Sequence, residues 1–271
     1  MKILSISDVH GSSVPLSIAK KHIDEVDKAI FQGDYVDSFD SKWPTQKEEL
    51  EKIFEFKEKY PNKVDLVWGN HDHSYISEAR VSGHQNASHV DIQEFFKSNL
   101  DKFNVAYVYD KWAFTHAGLS KLWMECPMDE YLFAMKEMGR LNEKWDPPAA
   151  VTLENINKRF HNGEWSIFDH LSMEPSGNSP IEGPLWIRPR SLVTYGIEGY
   201  NQCVGHTEFV ATASFDMRVL QLKNIAKEDC KKDFTPEQLE LKYVFTDSHE
   251  RNIYAVIDTE TNDVKMFKEE I

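Results

Sequence analysis

Residues 29–40 read AIFQGDYVDSFD. An apolar run, Ala29 to Phe31, stops at Gln32-Gly33, and three acids follow: Asp34, Asp37 and Asp40. A short apolar run closed by a glycine reads as a buried strand. Like charges this close repel, so the acids are either a solvated loop or the surroundings of a cation. The same pattern recurs on both sides. KILSIS (residues 2–7) runs into Asp8 and His10, and VDLVW (residues 64–68) runs into Gly69-Asn70-His71-Asp72.

Helical signals lie between and after these strands. In PTQKEELEKIFEFKEKYPNK (residues 44–63), Thr45 and Glu48 read as a capping box, Leu50, Ile53 and Phe54 share one face, and Pro61 ends the helix. VDIQEFFKSNL (residues 90–100) reads as another helix. NVAYVYDKWAFTHAG (residues 104–118) reads as a hairpin turning near Asp110-Lys111, its second strand ending at His116. A segment rich in Trp, Pro and Gly follows, at about residues 119–190, with helix candidates near 129–138 and 153–160. It is expected to form a helical and loop insertion beside the core. Strand signals return in QCVGH, FVATASF, LKYVFTD, NIYAVIDTE and DVKMF, with TETND as a turn between the last two. The expectation is an α/β chain of one domain, residues 1–271, with two packed mixed β-sheets flanked by helices.

Composition narrows the function classes. The 271 residues are 41% hydrophobic, enough for a sizeable core, and carry a formal net charge of −14. A field of that sign does not steer the chain toward nucleic acid, but it attracts cations. Cys126, Cys203 and Cys230 are too scattered for a disulfide framework or a thiolate metal site, and inert buried thiols are expected. No signal peptide and no membrane-spanning run is seen, so a cytoplasmic location is expected.

Five strand ends in succession deliver metal-type side chains: Asp8 and His10, Asp34 and Asp37, Asn70 with His71 and Asp72, His116, and His206. In α/β sheets, ligands gather outside the carboxyl ends of strands. A mixed set of carboxylate, amide and imidazole donors suits one or two divalent transition metals.

The ordered set DxH, GDxxD, GNHD, a later His and a GH motif resembles the calcineurin-like metallophosphoesterases from Asp8 to His206. FTHAGLS (residues 114–120) and VGHTEF (residues 204–209) look like the branch holding the phosphoprotein Ser/Thr phosphatases and symmetrical dinucleoside tetraphosphatases. Glu208 stands where many nucleases of the superfamily carry a second His. The resemblance implies the four-layer sandwich of that superfamily. It also implies two divalent ions (Mn, Fe, Zn or Ni), one held by Asp8, His10 and Asp34, the other by Asp34, Asn70, His116 and His206. The reaction implied is phosphoester hydrolysis by a metal-activated hydroxide. His71 is the candidate general acid and Asp37 the carboxylate that aims it; a structural turn role is the alternative for His71. LWIRPRSL (residues 185–192) resembles a Trp-x-Arg segment whose Arg meets substrate phosphate, which makes Arg188, with Arg190 behind it, the candidate phosphate cations beside Asn70. They matter because Ser38 stands where the phosphoprotein phosphatases carry an Arg, and Phe39 follows in place of Gly.

The expected substrate is a phosphomonoester, a phosphoprotein among the options. The alternatives are a dinucleoside polyphosphate, or a binding module that kept the fold without activity. A phosphorylated small molecule, nucleotide or phosphoprotein is the expected partner, with no stable nucleic-acid or membrane binding. Asp40 and Asp72 are expected at the surface or in turns, Asp247 as structural support near the site, and His84 and His89 in a solvated loop. Trp123, Trp145, Trp165 and Trp186 are expected to pack the core or cap.

Overall fold

The computed structural model describes residues 1–77, 79–141, 148–173, 178–208, 219–221, 240–247 and 252–269. Two five-stranded mixed sheets form the centre. The first contains β1 (Lys2–Ser7), β2 (Lys28–Gln32), β3 (Val64–Val67), β9 (Ile253–Asp258) and β10 (Asp263–Lys268), in the order β10-β9-β1-β2-β3. In it β1, β2 and β3 run parallel, while β9 is antiparallel to both of its neighbours. The second contains β4 (Ala106–Tyr109), β5 (Trp112–Thr115), β6 (Asn201–Val204), β7 (Val219–Gln221) and β8 (Lys242–Phe245), in the order β4-β5-β6-β8-β7. Here β5, β6 and β8 are the parallel strands.

Strand periodicity assigns each side chain to a layer. Ile3, Ile30, Val67, Ala255 and Ile257 of the first sheet meet Trp112, Phe114, Cys203 and Val244 of the second. Their sequence neighbours Leu4, Ala29, Phe31 and Leu66 point the other way, as a period of two requires. There they meet α1 (Val14–His22), α2 (Trp43–Lys59) and α4 (His89–Ser98) through Leu16, Ile18, Ile53, Phe54 and Phe96. On the far face of the second sheet, Leu192 and Val193 of α8 (Pro189–Tyr195) pack with Val204, Tyr243 and Phe245. The result is helix, sheet, sheet, helix. Gln32 ties the two sheets below the site: its Nε2 donates to the carbonyls of Thr115 (2.8 Å) and Cys203 (2.6 Å).

The helix of residues 44–63 begins earlier than the capping-box reading places it. α2 starts at Trp43 with Lys42 as N-cap and no side-chain cap. Pro44 suits a first turn because its φ is fixed, and Trp43 is buried against Phe95. Burial of the aromatic outweighs a Thr45 cap.

In residues 119–190 the described helices are α5 (Lys121–Glu125), α6 (Glu130–Glu137) and α7 (Ile156–His161). Trp123, Trp165 and Trp186 donate their indole N–H to the carbonyls of Ile167, Phe160 and Phe168. All three thereby serve packing, as expected. Trp145, Cys230, His249 and FVATASF lie outside the described residues. Cys126 and Cys203 are buried and unpaired, and burial pushes the Cys203 thiol up to about 12. Among the described residues, no helix is long and apolar enough to cross a membrane.

Candidate metal centre

The carboxyl ends of the parallel strands converge on one place. Asp8 follows β1 directly, and Asp34 follows β2 after Gly33. Asn70 opens the short helix α3 (Asn70–His73) after β3, while His116, His206 and Asp247 follow β5, β6 and β8. Asp8, His10, Asp34, Asp37 and His206 all adopt positive φ, between +43° and +67°. Such backbone is unfavourable for non-glycine residues and clusters at functional sites. Gly33 and Gly69 allow the two central loops to touch. A Cβ on Gly33 would sit 2.7 Å from the Gly69 Cα, and one on Gly69 would sit 2.2 Å from Asp34 Oδ1.

Three imidazoles are fixed by backbone carbonyls on their outer nitrogens. His10 Nδ1 donates to Val36 O (2.7 Å), His116 Nδ1 to Gln32 O (2.8 Å), and His206 Nε2 to Trp186 O (3.0 Å). A carbonyl can only accept, so the opposite nitrogen of each neutral ring carries a lone pair. Those lone pairs point inward. His10 Nε2 is 3.7 Å and His116 Nε2 3.4 Å from Asp34 Oδ2. His116 Nε2 and His206 Nδ1 lie 2.8 and 3.2 Å from the outer end of the Asn70 amide. With its oxygen inward, that amide faces only acceptors: two imidazole nitrogens and both oxygens of Asp34. Lone pairs converge this way around a cation; otherwise the amide must turn its NH₂ inward. The donor set thus fits divalent metal. Ligand atoms of Asp8, Asp34 and His116 lie within 4.8 Å of one another, as do those of His10, Asp34 and His71, and Asp34 belongs to both groups.

Electrostatics agree with the geometry. Burial, then the charges of Asp247 and Asp34, raises the Asp8 carboxyl, and burial with Asp72 raises that of Asp34. Burial pushes His116 down to about 3 and lowers His206, with Arg188 adding to the latter. A cation would stabilise these buried carboxylates, and imidazoles that resist protonation offer it their lone pairs.

His71 stands beside this cluster. Its Nδ1 is 3.0 Å from Asp37 Oδ2, and its Nε2 is 3.9 Å from Asp34 Oδ2. The buried Tyr75 hydroxyl donates to the other Asp37 oxygen and accepts from Gln85 N–H. Tyr75 has no motif to mark it in the sequence. Asp72 lies in the GNHD turn, one of the two places expected for it, but not at the surface. It is fully buried and accepts from the backbone N–H of Gly69 (3.0 Å), Asp34 (2.9 Å) and Tyr35 (2.8 Å), tying the GNHD turn to the GDYVD loop. His84 and His89 are not free in a solvated loop either. Both are half-buried, they hydrogen-bond each other at 3.1 Å, and His84 stacks on Tyr75. Asp40 is exposed, as expected.

A cleft of about 380 Å³ opens over the cluster. Arg188 lines it, with Nη1 donating to His206 O (3.0 Å) and Thr207 Oγ1 (3.2 Å). Asp247 lines it too. Arg190, the second residue of α8, is exposed and is not among the lining residues. Arg80 is, and sequence reasoning missed it because it belongs to no motif. Ser38 Oγ serves its own loop, accepting from Asp40 N–H.

The profile of the calcineurin-like phosphoesterase family matches residues 1–207. The chain is a calcineurin-like phosphoesterase. As a member of that family it is a metal-dependent hydrolase of phosphoesters. Its fold is shared by a cold-active protein-tyrosine phosphatase from Shewanella, at 15% identity and TM-score 0.54, over 98% of this calcineurin-like phosphoesterase and 80% of the other chain. A protein serine/threonine phosphatase from Saccharomyces cerevisiae is similar at 13% identity and TM-score 0.51, over 100% and 81%. No curated protein matches the sequence.

Proposed function

We propose that this phosphoesterase hydrolyses phosphate monoesters at a two-metal centre. Asp8, His10 and Asp34 hold one divalent ion, and Asp34, Asn70, His116 and His206 hold the other. The observation that carries the reading is the double membership of Asp34: among the described residues it alone belongs to both close groups, Asp8–Asp34–His116 and His10–Asp34–His71, beside an imidazole aimed by a carboxylate. The remaining ligands are divided between the ions as the family resemblance implies. The mixed donor set suits Mn, Fe, Zn or Ni. When bound, such ions stabilise charge on the phosphoryl oxygens and acidify a coordinated water.

The chain's own residues supply the rest. Asp37 accepts from His71 Nδ1 and so fixes which nitrogen faces the cleft. His71, doubly protonated and with its positive charge stabilised by Asp37, then gives the Nε2 proton to the departing ester oxygen and returns to the neutral ring. Arg188 has donors left after its contacts to His206 and Thr207, and these grip the phosphoryl oxygens. It takes the role of the Arg that Ser38 replaces. The protein-tyrosine and serine/threonine phosphatases of similar fold act on monoesters by their names, which supports the same class here.

The test is metal content together with hydrolysis of an aryl phosphate, using Asp34→Asn as control. Metal-loaded protein is expected to be at least a hundredfold faster than the variant. Equal rates would sink the enzymatic reading and leave a binding module.

A further inference from the structure

Phe39 is an apolar ring at the mouth of the cleft, and it is 75% exposed. It belongs to the same loop as Asp34 and Asp37, so its backbone is tied to the cluster. One edge of the ring is backed by Gly83. That glycine has φ +75°, and a Cβ there would lie 3.3 Å from the Phe39 Cζ and 2.9 Å from the Asp37 carbonyl. The loop from Arg80 to Gly83 thus lies close against Phe39, and Arg80, Val81 and Ser82 continue the same wall. Arg188, Trp186, Glu208 and Asp247 line the cleft as well. The remaining surface of Phe39 faces solvent. A large apolar surface left open above a polar metal cleft loses nothing to water only when something apolar covers it.

We propose that Phe39 is a specificity-determining platform, which stacks a planar aromatic group on the leaving side of the phosphoester. This rests on the phosphoesterase reading and refines its substrate to monoesters whose alcohol carries an aryl or heteroaryl ring. The geometry favours a ring over an alkyl chain. Aromatic faces pair with a flat partner beyond what area burial alone supplies. The guanidinium of Arg80 in the same wall is attracted to a ring face as well. Ser38-Phe39 is then a coherent exchange: the chain gives up a cation beside the phosphate and gains a surface beside the leaving group.

Benzyl phosphate and butyl phosphate test this, because their alcohols are of similar acidity and bond breaking is alike for the two. Both are measured with metal-loaded wild type, Phe39→Ala and Phe39→Trp. The butyl-to-benzyl ratio of KM is expected at roughly threefold to tenfold in wild type and Phe39→Trp, and near one in Phe39→Ala. A wild-type ratio near one, or a ratio that Phe39→Ala leaves intact, overturns the platform while the phosphoesterase reading stands. Failure of wild type to hydrolyse either ester overturns both. Phosphotyrosine and adenosine monophosphate, run on the same three proteins, separate the sources: the one whose KM rises more in Phe39→Ala carries the preferred ring.

Discussion

His71 Nδ1 lies 3.0 Å from Asp37 Oδ2, and Tyr75 donates its hydroxyl to the other oxygen of that carboxylate. Asp37 is fully buried, so neither water nor a lysine is available to replace these partners. The arrangement holds the His71 ring in one orientation with Nε2 toward the cleft and stabilises its doubly protonated form.

Replacing His71 by Asn is therefore expected to lower kcat about 10²–10⁴-fold on an alkyl phosphate, whose oxygen leaves only when protonated. On 4-nitrophenyl phosphate, whose phenolate leaves unaided, the loss is smaller. Metal content measured on the same samples is expected to stay at the wild-type level. A drop would move His71 into the ligand set, which its place beside His10 and Asp34 also permits.

Tyr75→Phe keeps the buried ring and removes the donor to Asp37. The expected result is a fall in kcat of about tenfold with KM little changed, and a shifted acidic limb in the pH–rate profile. An unchanged profile would make Tyr75 a packing residue only.

Arg188→Lys retains a charge but loses the planar fork. KM for any monoester is expected to rise about tenfold or more, and Arg188→Ala to rise further. Arg190→Ala, outside the cleft lining, serves as the near-neutral comparison.

Asp72→Ala leaves three buried N–H groups without an acceptor: those of Gly69, Asp34 and Tyr35. A loss of about 2–4 kcal/mol in unfolding free energy is expected, read by denaturant titration. The same variant is expected to bind metal weakly, because the loop carrying Asp34 loses its anchor.

Metal-free protein should be more stable at pH 6.5 than at pH 8. Burial holds Asp72 up at about 7, and Asp8 and Asp34 are raised as well. Above the ordinary value of 3.8, the folded chain holds protons on these acids that the unfolded chain has released, so stability falls as pH rises through the folded values. His116 and His206 act oppositely through and below the region of their ordinary 6.5, where the unfolded chain takes up protons that the folded chain refuses. Between pH 6.5 and 8 the two imidazoles offset part of this, and the three raised carboxyls keep the sign. The difference is on the order of 1 kcal/mol, or about 2–4 °C in Tm. Saturating metal is expected to abolish or reverse that slope, since binding favours the deprotonated carboxylates.

The sequence by itself determined which strands end in donors, and hence the family and its sandwich. Apolar runs that stop at Asp8, Asp34, Asn70, His116 and His206 are local signals, because strand burial and glycine turns are properties of a few consecutive residues. Only tertiary structure decided the remainder. Asp72 looks like any acid in a turn until three N–H groups from two loops close on it. Tyr75 becomes part of the His71 assembly through a hydrogen bond spanning 38 positions. Arg80 and Phe39 come together because the loop that carries Arg80 runs on to Gly83, whose backbone lies against Phe39 and the Asp37 carbonyl. Each depends on contacts between segments distant in sequence. Local pattern carries no information about such contacts, since the partners meet only when β2 and β3 pair and the segments that follow them lie side by side.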